Sequence, residues 1–371
     1  MKTIVISGIN LFQGGPLSIY KDCLNSIIET KMHLNNKIIV LVHKKELFAE
    51  YEDKFNIIEF PLSRKNYFIR IWYEYIYFYF FSLRKNVDIW LSIHDITPNV
   101  KATQRYVYCH NASPFYKMTS FEKRHSPRLR LFNLFYKYLY KINIKKNDGV
   151  IVQQFWLKKK FQELYGVKQI LVSYPNFSEN YFDNNLEDNA SKTISNIFFY
   201  PSFPRVFKNF EIICEATRQL VSKGITNFEV VLTIDGSENK YTKDIVSEYS
   251  SIQNIKFTGL LSRENVFRNY EKSSYLIFPS KLESWGLPIT EYKAFNKPMI
   301  LADLDYSKEA LGDYDRVVFF NPYKAEELAS IMEKVIKNEN VWREHKTSMI
   351  PDANSWDELF NILLGNGGSK K

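Results

Sequence analysis

Short, continuously apolar runs alternate with segments of helical period along most of the chain. In the first half the apolar runs predict strands at Thr3–Gly8, Lys37–His43, Asn56–Phe60, Val87–Ile93, Arg105–His110, Gly149–Gln153 and Ile170–Tyr174. Between them, helical periods predict helices at Leu17–Thr30, Tyr67–Leu83, Arg128–Ile144 and Trp156–Tyr165. Strands apolar at successive positions, rather than at every second one, are covered on both faces, as in a parallel sheet. The first half is therefore predicted to be a doubly wound α/β domain.

From Asn176 to Asn196 the chain is polar, acidic and without period, which predicts an interdomain connection. The alternation then restarts, with strands at Ile197–Pro201, Phe228–Asp235, Ile255–Gly259, Tyr275–Pro279, Pro298–Ala302 and Val317–Asn321. Helices are predicted at Asn209–Ser222, Lys240–Ser250, Arg263–Tyr270, Pro288–Phe295 and Ala325–Lys337, and a last one at Trp356–Leu364 precedes a Gly/Ser/Lys tail expected to be disordered. This gives a first domain over 1–175, a connection over 176–196, a second domain over 197–350, and a helix and tail over 351–371. Two Rossmann-like domains of this kind are expected to face each other across a deep cleft at the carboxyl ends of their sheets.

Composition narrows the classes. A length of 371 residues suits two domains, and 45% hydrophobic with 25% charged residues can bury cores. The cysteines Cys23, Cys109 and Cys214 are few and far apart, which excludes a disulfide framework or zinc knuckle and points to a reducing, cytoplasmic compartment. The opening strand is too short for a signal-peptide core, and the nearest approach to a membrane span, Ile69–Leu83, is broken by Arg70 and Glu74.

The formal net charge of +9 hides an asymmetry: residues 1–175 hold 27 Lys and Arg against 13 Asp and Glu, and the remainder 23 against 28. Lys117–Lys146 alone has nine basic residues and one acid, Glu122, interleaved with aromatic rings, and Arg64–Lys85 adds five more around an aromatic helix. Such segments suit an anionic membrane surface or nucleic acid. They suit equally an aromatic core beneath solvated lysines.

The stretch from Phe278 to Glu291 holds the strongest candidate chemistry. It leaves a buried strand, passes Gly286 and opens a helix near Pro288, a residue favoured at the first helical position. Amides around Gly286 and Leu287 could bind oxygens, and a carboxylate such as Glu283 or Glu291 can accept two hydroxyls at once. Spacing alone fits equally well a strand-to-helix turn with two solvated glutamates. An Arg and a Lys, Arg205 and Lys208, stand where the second domain's first strand gives way to a helix, and could neutralise a diphosphate. Gly14-Gly15 follows the first strand, Asp235-Gly236 and Gly259-Leu260 follow others, and His94, Asp95 and His110 lie at strand ends. The triplet Asp303-Leu304-Asp305 follows a second-domain strand and is read as helix capping, not as a metal clamp.

Taken together these pieces resemble the retaining family 4 glycosyltransferases of GT-B fold, bacterial surface-polysaccharide type, with Glu283 and Glu291 forming an E-x7-E element around Gly286-Leu287-Pro288. Matching pieces run in the same order from the Gly14-Gly15 turn to Asn321-Pro322. The resemblance implies a nucleotide sugar on the second domain: diphosphate near Arg205, Lys208, Gly286 and Leu287, ribose on Glu291, sugar hydroxyls on Glu283, and nucleotide contacts near Gly236 and Leu260. It also implies that Gly15 faces the diphosphate and His110 reaches the transferred sugar, making His110 and Glu283 the catalytic candidates, with His94 and Asp95 on the acceptor side. Arg205 stands nearer to Lys208 than is usual in the family.

The implied activity is retaining transfer of a hexose-type sugar to a hydroxyl of a lipid-linked O-antigen or capsule precursor. No metal or other cofactor and no nucleic acid would be needed, and the enzyme would sit peripherally on the inner face of the cell membrane, held through Arg64–Lys85 and Lys117–Lys146. The alternatives are a nucleotide-sugar epimerase of the same architecture, or an inactive relative that binds membrane or nucleic acid.

Overall fold

The computed structural model describes residues 1–175 and 196–365 and resolves them into two compact units. The predicted connection lies outside the described residues except for Asn196, as does the tail from residue 366.

The first unit is built on strands β1 (Thr3–Gly8), β2 (Lys37–Val42), β3 (Asn56–Glu59), β4 (Val87–Ser92), β5 (Ala102–Cys109), β6 (Gly149–Val152) and β7 (Ile170–Val172). They form one sheet in the order β3-β2-β1-β4-β5-β6-β7, parallel throughout. The unbroken apolar runs have a direct cause. Ile4 and Ile6 enter a core cluster on one face of the sheet while Val5 enters a second cluster on the other, and Val40 and Leu41 divide in the same way.

The second unit repeats the plan with β8 (Ile197–Tyr200), β9 (Glu229–Leu232), β10 (Ile255–Phe257), β11 (Tyr275–Phe278), β12 (Met299–Ala302), β13 (Tyr314–Phe320) and β14 (Arg343–His345). Their order is β10-β9-β8-β11-β12-β13-β14, with β14 alone running antiparallel. Because β8 lies between β9 and β11, the direction of winding reverses there, and the crevice at the carboxyl ends of β8 and β11 is where doubly wound sheets take ligands.

The units are not contiguous in sequence. Among the described residues, the first holds Met1–Phe115 with residues 132–175 and 350–365; the second holds Tyr116–Leu131 with residues 196–349. The helix Trp356–Leu363 thus belongs to the first unit, where Trp356, Leu359, Phe360 and Leu363 join the core around β1 and β2 and Trp356 stacks on Tyr108 at 5.2 Å. Asp352 accepts a hydrogen bond from the Val172 amide at 2.7 Å, just before that helix. Conversely, the short helix Ser120–His125, which no periodicity announced, belongs to the second unit; Thr119 and Glu122 form its capping box.

Other differences are local. The expected Gly14-Gly15 turn is the first turn of the helix Gly14–Glu29. The long helix from Tyr67 is continuous to Lys85 but contains a π turn at Tyr73–Tyr77. Asp303 and Asp305 are not side-chain caps: Asp303 pairs with Lys308 at 2.6 Å, and Asp305 sits in the first turn of the helix Asp305–Leu311, where its charge favours the helix dipole.

Candidate functional site

Three loops of the second unit are tied together by one side chain. Asn209 has left-handed backbone, φ 63°, and its amide donates to the carbonyls of Pro279, at 3.1 Å, and Pro322, at 2.8 Å. The loop after β11 is fixed further by Tyr306, whose hydroxyl donates to the Ser280 carbonyl at 2.6 Å. Gly286, at φ 100°, caps the helix Leu287–Lys293; a Cβ there would lie 3.3 Å from Ile289 Cδ1 and 3.5 Å from the Tyr306 ring. The backbone conformation therefore calls for glycine.

This bracing sets Lys208 beside Glu283, with Nζ 2.5 Å from Oε1 and the two side chains only 15% and 14% exposed. The pair lies beyond the carboxyl ends of β8 and β11, at the winding reversal. A cation and a carboxylate in a partly desolvated crevice can serve an anionic leaving group and sugar hydroxyls respectively. In the helix Leu287–Lys293, Glu291 is buried, accepting from the Tyr270 hydroxyl at 2.9 Å and meeting Arg263 at 3.2 Å. Burial raises its pKa above the ordinary carboxyl value, with Arg263 and Tyr270 opposing the shift.

The outlying donor-side candidates are less closely held. Arg205 is exposed and lies over the Phe203 ring at 5.7 Å, while Leu260 is half-exposed after Gly259. Leu287, half-buried, opens the helix after Gly286. The Gly236 amide, with that of Asp235, is occupied by the Glu238 carboxylate at 3.1 and 2.9 Å. Beside the main pair stands a cluster that sequence reasoning missed. Lys281 bridges Glu122, at 3.1 Å, and Glu211, at 3.4 Å; Tyr116 donates to Glu122 at 2.6 Å and Tyr241 to Glu211. It locks Ser120–His125 onto the second unit, and no local pattern could reveal it, because Glu122 and Lys281 are 159 positions apart.

In the first unit, Asp95 is a hub. It is buried with φ 73°, and its carboxylate accepts from the amides of His110, at 2.8 Å, and Asn111, at 3.0 Å. It also accepts from the hydroxyls of Tyr140, at 2.8 Å, and Tyr136, at 3.3 Å, and lies 3.6 Å from His110 Nε2. Asp95, expected on the acceptor side, therefore positions His110 and is itself shielded. His94, the other residue expected on the acceptor side, lies in the core. It is fully buried, with Nδ1 2.8 Å from the Ser7 carbonyl and Nε2 2.6 Å from Glu74. Gly15 is open: a Cβ at Gly14 or Gly15 would meet nothing within 4 Å.

Residues 182–356 match the family described as "Glycosyl transferases group 1". The O-antigen chain mannosyltransferase RfbU of Salmonella typhimurium is 21% identical over 249 residues, 65% of this chain and 64% of that protein, so the match spans less than two thirds of that relative's length. Sucrose-phosphate synthase from Thermosynechococcus elongatus superposes with a TM-score of 0.67 at 14% identity, covering 91% of this chain and 90% of that one. The lipopolysaccharide outer core galactosyltransferase WaaB superposes at 0.63 with 12% identity, covering 99% and 100%. The fold is thus the two-sheet α/β architecture of these GT-B glycosyltransferases.

Proposed function

We propose that the chain, which carries a glycosyl transferases group 1 match over residues 182–356, is a retaining glycosyltransferase using a nucleotide diphosphate sugar. The observation that carries this is the Lys208–Glu283 pair, braced at the winding reversal of the second sheet, with Glu291 in the helix that follows. On this reading Lys208, with Arg205 nearby, takes the diphosphate; Glu283 takes hydroxyls of the transferred sugar, and Glu291 the ribose. Backbone groups of Gly236, Leu260, Gly286 and Leu287 line the nucleotide.

In the transfer step an acceptor hydroxyl oxygen bonds to the anomeric carbon as the bond from that carbon to the diphosphate oxygen breaks. The acceptor's proton passes to the leaving diphosphate, on the same face. Lys208 is then a preorganised charge that gains most when the leaving group becomes more negative, so positioning and electrostatics supply the rate without a covalent glutamate. The similarity to an O-antigen chain mannosyltransferase supports a hexose such as mannose and an acceptor belonging to a surface polysaccharide.

Lys208→Ala and Glu283→Ala should each lower transfer by about 100-fold or more while leaving the melting temperature near that of the parent. Incubation with a panel of nucleotide sugars and release of nucleoside diphosphate is the measurement. Near-parental rates in both variants would refute the assignment. For His110, the matching requirement is that His110→Ala loses transfer but keeps nucleoside diphosphate binding.

A further inference from the structure

The chain leaves the first unit after Phe115, belongs to the second over Tyr116–Leu131 and rejoins the first at Phe132. At its middle this segment is pinned next to the Lys208–Glu283 pair. Lys281 stands two positions before Glu283, and its amide donates to the Phe207 carbonyl at 2.8 Å, so it ties together the two loops that carry the pair. Its ammonium bridges Glu122 of the segment, at 3.1 Å, and Glu211, at 3.4 Å. Glu122 is fully buried, and the Tyr116 hydroxyl donates to it at 2.6 Å. The Tyr116 ring also meets the ring of Phe207, the residue before Lys208, at 6.1 Å between centroids. A buried ion pair that loses one partner leaves an uncompensated charge, so Glu122 and Lys281 stay joined as long as the segment stays docked.

The two ends of the segment lead to the Asp95 hub. Phe115 stacks on Tyr140, 6.2 Å between centroids and 3° from parallel, and Phe132 lies against Tyr136 at 4.7 Å. These are the two tyrosines whose hydroxyls donate to Asp95, the residue that positions His110. Asp95 is held at φ 73°, a conformation that a residue with a side chain keeps only where its surroundings impose it. Its hold on His110 therefore depends on how Tyr136 and Tyr140 are set. The helix Pro127–Lys141 begins in the part of the chain that belongs to the second unit and carries both tyrosines in the first, so a movement of the segment reaches them through a rigid element. We infer that Tyr116–Leu131 is a coupling strap: docked through Glu122 and Lys281 it positions the Lys208–Glu283 pair, and it passes the occupancy of that pair on to the tyrosines that set Asp95 and His110. This rests on the reading of Lys208 and Glu283 as the donor pair.

Coupling is reciprocal: if the strap sets affinity at the pair, a ligand at the pair must steady the strap. Calorimetry with GDP, UDP and dTDP selects the diphosphate that the full chain binds, and hydrogen exchange is then followed with and without it at saturation. In the parent, ligand should slow exchange over residues 120–125 and 136–140 by about fivefold or more relative to the helix Ala325–Ile336. Glu122→Gln removes the charge but keeps the capping box and an acceptor for Tyr116. In that variant affinity should fall by about fivefold or more, and saturating ligand should no longer protect 136–140. Lost stability alone does not produce that second result, because each protein is compared with its own unliganded form. Tyr116→Phe, which removes one hydroxyl, should show the same two changes at smaller size and carries the test if Glu122→Gln does not fold. Exchange over 120–125 and 136–140 that ignores the ligand in the parent overturns the inference, as does protection of 136–140 that persists in both variants. Lys208→Ala tests the reading beneath it. If that variant binds the diphosphate as the parent does, or the parent binds none of the three, the donor assignment falls and the strap with it. If Lys208→Ala loses binding while the other two variants bind and respond like the parent, the strap alone falls.

Discussion

Burial raises the pKa of Glu291 against the pull of Arg263 and Tyr270. The folded chain therefore keeps this proton to a higher pH than the unfolded chain. The group's contribution to stability is full below the ordinary carboxyl range and is lost as pH rises through the raised value. Ligand binding runs in the opposite sense, because the ionised carboxylate is the better acceptor for two ribose hydroxyls. Calorimetric affinity for nucleoside diphosphates should weaken as pH falls through that raised value in the parent protein. In Glu291→Gln it should be weaker by roughly tenfold at neutral pH, in keeping with a lost hydrogen bond to a charged group, and should lack that step. Because the ligand's own titration is common to both proteins, identical pH profiles would remove Glu291 from the ribose site. Thermal melts supply the second readout: relative to the parent, Glu291→Gln should gain stability as pH rises.

Among the elements, those that were legible in sequence owe it to burial on two faces. The apolar runs that became β1, β2, β4, β6, β8, β11 and β12 are continuous because both sides of each sheet are covered. The illegible elements lack such a signature. β14 is a three-residue antiparallel edge with Arg343 and Glu344 exposed, and Ser120–His125 is held by Glu122 and Lys281 across a long separation. The site divides likewise. Lys208, Glu283 and Gly286 stand in short motifs, whereas the roles of Asp95 and His94 depend on Tyr136, Tyr140 and Glu74, which only the folded chain brings to them. The helix Trp356–Leu363 was legible as a helix, but its destination was not. Leu359 is fully buried in the first unit's core, so Leu359→Ala should cost about 2–5 kcal/mol. Hydrogen exchange should show faster opening in β1 and β2 with β8 and β11 unchanged; equal acceleration in both sheets would contradict the assignment of this helix to the first unit.

For the molecule as a whole, charge and connectivity separate the two halves. The basic excess of residues 1–175 gathers in part in Arg64–Lys85 and Lys117–Lys146, while the candidate donor site uses a few local cations in an otherwise acidic half. Connectivity has a different consequence, which concerns time. A ribosome delivers the chain in order, and the first unit, although it begins first, lacks part of its core until residues 350–365 have emerged. The second unit needs only residues up to 349, with Tyr116–Leu131 already made. The later half is thus the first that can close, and β1 and β2 must wait with Leu24, Ile27 and Val40 incompletely covered. Arrest-peptide fusions of increasing length should register a folding step for the second unit before one for the first. A first-unit step at lengths that stop short of residue 350 would contradict this order. Synthesis from one end and folding from the other would leave the chaperone demand of this protein concentrated on its earliest-made sheet.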